Sequence, residues 1–146
     1  MPKIEISEMT MADYDAMYAL LSATPGIGLR LADSREGIER YLARNPGLSF
    51  VARYDGRIVG CVMSGHDGRR GYLQHLAVAP EFRLQGIGRE LVEHCLDRLQ
   101  AEGIEKTHLD VFVDNLPAHR YWSRRGWKKR DDLVRYSFTK SDSDNL

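Results

Sequence analysis

The sequence predicts an α/β (α+β) fold, a mixed sheet flanked by helices. Three observations carry that prediction. Between Ser49 and Val78 the chain reads as consecutive β-rich segments separated by turn residues. From Ile87 to Leu99 the apolar residues recur at helical spacing. Shorter helical and alternating segments flank both, on a chain of 146 residues, enough for one buried core.

In order, Ile4 and Ile6 alternate with charged neighbours and suit a first strand. Thr10-Met-Ala-Asp13 has the spacing of a capping box, and Met17, Leu20 and Leu21 continue a first helix near 11–22. Pro25-Gly-Ile-Gly28 breaks it, Asp33-Ser-Arg-Glu36 caps a second helix carrying Ile38, Tyr41 and Leu42, and Asn45-Pro-Gly47 stops that one. Ser49 to Tyr54 and Arg57 to Gly65 form a hairpin across Asp55-Gly56, a favoured two-residue turn. Asp67 to Gly71 turns again into Tyr72 to Val78, which Pro80 ends. Ile87, Leu91, Cys95 and Leu99 make one helical stripe, widened by Val92 and Leu96, with Gly103 as its terminator. Lys106 to Val113 alternates as a strand, Pro117 opens a short helix closed by Gly126, and Leu133 to Thr139 reads as a last strand. The order is β-α-α-β-β-β-α-β-α-β, with residues 1–140 as a single domain and 141–146 as a polar tail expected to be disordered.

Composition narrows the function classes. Charged residues make up 29%, with 21 basic against 21 acidic, so the formal net charge is zero. That balance disfavours a dedicated nucleic-acid-binding arm. The longest apolar run spans only Ala16 to Leu21, far short of the ~20 residues of a membrane span. The first residues lack the apolar core of a signal peptide. Cys61 and Cys95 stand far apart with no metal-ligand spacing, so neither a disulfide scaffold nor a metal site is expected. A cytoplasmic protein, without membrane attachment, is the expectation.

The informative stretch runs from Leu76 to Leu91: a strand, a loop bearing Arg83, Gly86 and Gly88, then the long amphipathic helix. Glycines at such a junction let backbone N–H groups approach a ligand, and the helix start adds unpaired donors and a positive dipole end. The site suits phosphate. A Walker A loop fails, because Arg89-Glu90 follows Gly88 where Lys-Ser/Thr is needed. A dinucleotide-binding loop fails as well, since Leu91 stands where its third glycine belongs. What matches is R-x-x-G-x-G.

With that motif the sequence resembles the GNAT N-acetyltransferase superfamily. Arg83-x-x-Gly86-x-Gly88 resembles its pyrophosphate-binding motif, and Leu76-Ala-Val78 its pantetheine-pairing strand. Asn115-Leu-Pro-Ala118-His-Arg-Tyr121-Trp122, running on to Gly126-Trp127, resembles a second family segment. The likeness extends from about Ile4 to Thr139. It implies a mostly antiparallel sheet of about seven strands with four helices, in which strands 4 and 5 splay apart. Acetyl-CoA, the co-substrate, would insert there along Leu76, Ala77 and Val78. Its diphosphate would rest on Leu84, Gln85, Gly86, Ile87, Gly88 and Arg89, beside Arg83. Asn115 matches a position that commonly hydrogen-bonds the cofactor.

The implied reaction is direct acetyl transfer to a primary amine of a small molecule, peptide or protein. A protonated amine has no lone pair, so a base or water relay is needed at neutral pH. Asp110 aligns with a strand carboxylate used by alanine N-acetyltransferase relatives, and His75 is the second candidate. The family's usual proton-donating tyrosine is Trp122 here, with Tyr121 as its neighbour; indole N–H has no proton to give as an acid. Cys61 and Cys95 read as core residues, not nucleophiles. Arg120, Arg124, Arg125, Lys128, Lys129 and Arg130 read as a solvated basic face, with contact to the 3′-phosphate of CoA as the functional version. The rival is a non-catalytic CoA-binding or regulatory module of the same fold. The identity of the amine stays open, as does a homodimer.

Overall fold

The computed structural model describes residues 3–146. Its elements are β1 (Ile4–Glu8), α1 (Tyr14–Ser22), α2 (Arg35–Arg44), β2 (Phe50–Tyr54), β3 (Arg57–His66), β4 (Gly71–Val78), α3 (Ile87–Ala101), β5 (Thr107–His108) and α4 (Leu116–Arg124). Short 3-10 turns lie at Met11–Asp13, Leu31–Asp33 and Pro80–Phe82. The chain forms two compact units, one up to Leu109 and one from Asp110 onward.

In the first unit the sheet order is β1-β2-β3-β4-β5, antiparallel except for the parallel β4–β5 pair. The Asp55-Gly56 hairpin forms as expected, both residues taking positive φ, 50° and 77°, as the two-residue turn requires. Met17, Leu21 and Ile38, from α1 and α2, join Val51, Cys61, Met63 and Ala77 of the sheet in one buried cluster. On α3 the stripe of Ile87, Leu91, Val92, Cys95 and Leu99 is buried, and Leu99 closes on Leu48 and Ile104. Ser34 caps α2 by accepting from the Gly37 N–H at 3.1 Å. Gly71 permits the β4–β5 pair, since a Cβ there would lie 2.6 Å from the Thr107 hydroxyl oxygen.

The second unit holds α4, capped by Asn115, whose side chain accepts from the Ala118 N–H at 3.3 Å. Gly126, at φ 89°, ends it. Trp122 packs edge-on against both Tyr121 and Trp127, at centroid distances of 5.0 and 5.2 Å.

The sequence expectation is corrected in its strand count. Five strands form among the described residues, not about seven. The expected strand over Lys106 to Val113 is reduced to Thr107–His108, and Leu133 to Thr139 is not a strand. Alternation supplies a strand's faces, but a ladder partner makes the strand. Val134, Tyr136 and Phe138 pair with none and stand 78%, 92% and 88% exposed.

Candidate active site

β4 is where the site begins. It has β3 along one edge throughout, but β5 pairs with it only at Gly71 and Tyr72. From Leu73 to Val78 no strand among the described residues covers its other edge. Leu76, Ala77 and Val78 lie on this open stretch.

Midway along it β4 bulges. Gln74 opposes Met63 and Ala77 opposes Cys61, so β4 carries one residue more than β3 over that interval. His75 occupies the bulge with φ 54°, in the left-handed region. Histidine is among the few non-glycine types enriched there.

Beyond Val78 the chain turns through Pro80–Phe82 into the loop that precedes α3. Arg83 Nε donates to the Val78 carbonyl at 2.9 Å, fixing the loop to the end of β4. The Arg83 N–H is taken by Pro80 O, and the Glu90 N–H by Gly86 O. Between them, the N–H groups of Leu84, Gln85, Gly86, Ile87, Gly88 and Arg89 have no acceptor among the described residues. Gly86 is the N-cap of α3 at φ 82°, and a Cβ placed on it would meet nothing within 4 Å. Open amides at the positive end of a long helix, with clear space in front, fit a diphosphate.

His75 is not isolated. A carboxylate only accepts, so the 2.7 Å contact of His75 Nε2 with Asp33 Oδ1 is an N–H donated by the imidazole. The other oxygen of Asp33 accepts from the Arg30 N–H at 2.9 Å. Asp33 is buried; burial pushes its carboxyl up, but the His75 and Arg30 hydrogen bonds and the imidazole charge together hold it below the usual carboxylate value. Among the described residues nothing hydrogen-bonds His75 Nδ1. Sequence reasoning read Asp33 at the start of a helix cap and did not pair it with His75. Only its distant pairing with β4 marks it, and a single sequence carries no signal for that.

The remaining candidates lie in the second unit. The Arg135 guanidinium holds both oxygens of Asp110, at 3.0 and 2.8 Å, and the pair is exposed. Asn115 spends its side-chain oxygen on the α4 cap. The Arg125 guanidinium lies over the Tyr121 ring at 4.8 Å. Both cysteines are fully buried, and burial pushes the Cys61 thiol up to about 12 and the Cys95 thiol up to about 11. Thiols so far from ionising are poor nucleophiles. Among the described residues no helix is long and apolar enough to cross a membrane.

The model of the Acetyltransferase (GNAT) family matches residues 14–127. An acetyltransferase of Pectobacterium atrosepticum is 45% identical over 83 residues, which cover 57% of this chain and 59% of that one. An acetyltransferase of Yersinia enterocolitica is 34% identical over 102 residues, covering 70% of this chain and 72% of its own. The chain thus spans between about three-fifths and three-quarters of these relatives' lengths. Among solved structures, the aminoglycoside N-acetyltransferase AAC(6')-Iy in complex with CoA superposes with a TM-score of 0.75 at 17% identity, over 94% of this chain and 96% of that one.

Proposed function

The chain belongs to the acetyltransferase (GNAT) family, and on that premise we propose that it acetylates a primary amine directly from acetyl-CoA. The acceptor is a small molecule or the amine of a peptide or protein. The observation that carries this reading is the run of open amides from Leu84 to Arg89 at the start of α3, next to the uncovered edge of β4. We read residues 1–140 as one acetyltransferase domain, which the family match across both compact units supports. Its place of work is the cytoplasm, where acetyl-CoA is supplied.

Acetyl-CoA brings an acetyl thioester when bound. The amides of Leu84 to Arg89 hold the diphosphate, and Gly86 and Gly88 keep side chains out of its way. Leu76, Ala77 and Val78 offer backbone groups to the pantetheine arm, and the Leu76 N–H is the donor for a developing oxyanion. Asn115 is a further contact. His75 accepts the amine proton at Nδ1; it is favoured over Asp110, whose oxygens Arg135 already occupies. Trp122, beside Tyr121, supplies no proton, and a thiolate of pKa near ~8.5 leaves without full protonation.

The experiment is calorimetric titration with acetyl-CoA, followed by thiol-release assays with kanamycin, spermidine and a tripeptide bearing a free amino terminus. Binding with amine-dependent release of free thiol is expected. Saturable binding with no release for any amine would favour a CoA-binding module instead, and no binding would overturn the reading.

A further inference from the structure

Asp33 lies at the end of the segment from Pro25 that separates α1 from α2, 42 residues from its partner in β4. Its carboxylate is buried, yet both oxygens are used, one by the Arg30 N–H and one by the His75 Nε2–H. His75, for its part, adopts a left-handed backbone conformation at the bulge. Such conformations cost free energy and persist where the surroundings enforce them. The surroundings come from several elements. Cys61 of β3 donates its thiol to the His75 carbonyl at 3.7 Å, and Tyr14 of α1 donates its hydroxyl to the Asp33 carbonyl at 2.7 Å. The Arg35 guanidinium of α2 lies 4.7 Å from the Tyr14 ring centroid and pairs with the Asp15 carboxylate of α1 at 2.6 Å.

We propose that Asp33 is a positioning residue for acetyl transfer: its carboxylate fixes the His75 tautomer, holding the proton on Nε2 and leaving the Nδ1 lone pair for the acceptor amine. This rests on the transferase reading above. The amine lone pair forms the new C–N bond and the acetyl–sulfur bond breaks, its electron pair remaining on sulfur. Nδ1 holds the proton that the nitrogen gives up until solvent removes it. Without a fixed partner the imidazole proton would distribute between both nitrogens, and every molecule protonated at Nδ1 would present a donor where a lone pair is required.

The segment that ends at Asp33 therefore does more than connect α1 to α2. A neutral hydrogen bond would tie it to β4 equally well. The anion adds control over which imidazole nitrogen is basic.

Asp33→Asn separates the two roles. The variant keeps the shape but has one acceptor oxygen where Asp33 uses two. If that oxygen stays with the Arg30 N–H, the new amide N–H₂ faces Nε2 and drives the imidazole proton to Nδ1. Long-range proton–nitrogen correlation spectra of uniformly nitrogen-15-labelled protein report the tautomer directly and need no acceptor. The wild type should be protonated at Nε2 at neutral to mildly alkaline pH, and Asp33→Asn should shift substantially to Nδ1. With the amine that turns over in the panel above, kcat should fall by about 100-fold while the KM for acetyl-CoA is unchanged. Asp33→Glu, which keeps the charge, should recover at least about a tenth of the lost rate. A wild-type His75 protonated at Nδ1 overturns the proposal even if Asp33→Asn does not fold. So does a folded Asp33→Asn enzyme with an unchanged tautomer or an unchanged kcat. Absence of turnover in the wild type would instead count against the transferase reading, leaving the tautomer measurement to decide the role of Asp33.

Discussion

The Tyr14 hydroxyl donates to the backbone carbonyl of Asp33 at 2.7 Å, in a buried contact that ties α1 to the residue holding His75. Tyr14→Phe removes the donor and leaves that carbonyl buried without it. The expected loss is about 1–3 kcal/mol of folding stability, the cost of an unsatisfied buried acceptor. Urea denaturation with an unchanged slope would measure it. Affinity for acetyl-CoA should not change, because among the described residues no hydrogen bond links Tyr14 to the amides from Leu84 to Arg89. An unmoved midpoint would show that this bond contributes nothing.

The Asp33 carboxyl also sets an acid sensitivity. Burial pushes it up, and the His75 hydrogen bond, the Arg30 N–H and the imidazole charge outweigh that and hold it below its ordinary value. A carboxyl with a depressed folded-state pKa contributes stability that is fully present above its unfolded pKa, about 3.9, and is lost as pH falls through the lower folded value. The stability advantage of wild type over Asp33→Asn should therefore hold at pH 6 and shrink below about pH 4. Thermal melts across that range would show it. A constant difference down to the acid limit would mean that the carboxylate charge is not what stabilises the pair.

Gly86 and Gly88 should respond in graded fashion. Gly86→Ala places a methyl in open space but at φ 82°, costing on the order of 1–2 kcal/mol of strain with the fold intact. Gly88→Glu brings both bulk and like charge against the diphosphate. It should abolish acetyl-CoA binding in calorimetry while the circular dichroism spectrum is retained. Wild-type affinity in Gly88→Glu would remove the phosphate-loop assignment.

Leu84 offers a stabilising change in the same loop. It sits at φ 62° with its side chain entirely in solvent, so it carries left-handed strain without any packing in return. Asparagine tolerates that conformation better. Leu84→Asn should raise stability by up to about 1 kcal/mol, seen as a higher melting temperature. A lower one would mean that Leu84 makes a contact in solution that its exposure conceals.

The sequence was most readable where structure is local. The Asp55-Gly56 turn, the α3 stripe and the terminating Gly103 depend only on neighbours within a few residues. The loop from Arg83 to Gly88 was readable for the same reason, since its open amides follow from where a helix starts. The bulge at His75 was not. Tyr72 to Val78 looks like one regular strand, and only its register against β3 reveals the extra residue. Asp33 was hidden by its own plausibility as a helix cap, while its pairing with His75 spans 42 residues. Leu133 to Thr139 misled in the opposite direction, because its β-type residues find no ladder to join.

The identity of the base is the prediction on which the mechanism turns. Asp110 has an anion to offer, but the Arg135 guanidinium binds both of its oxygens and the pair stands in solvent. Asp110→Asn should therefore leave the rate within about threefold of wild type, as expected for an exposed ion pair. His75 is better tested by His75→Asn than by alanine. Asparagine tolerates the positive φ of the bulge and has no basic lone pair; its amide overlays Nδ1 rather than Nε2, so the bond to Asp33 goes with the imidazole. A general base works only when unprotonated, so the wild-type rate should rise with pH through the ionisation of the base and then level off. His75→Asn should lose about 10²–10⁴ in rate and replace that rise with one governed by the amine itself. Trp122 adds no opposing limb, because indole supplies no proton that could be lost at high pH. Measuring kcat/KM against pH for both variants separates the candidates. A profile that collapses in Asp110→Asn and survives in His75→Asn would move the base to Asp110 and leave His75 a structural residue of the bulge.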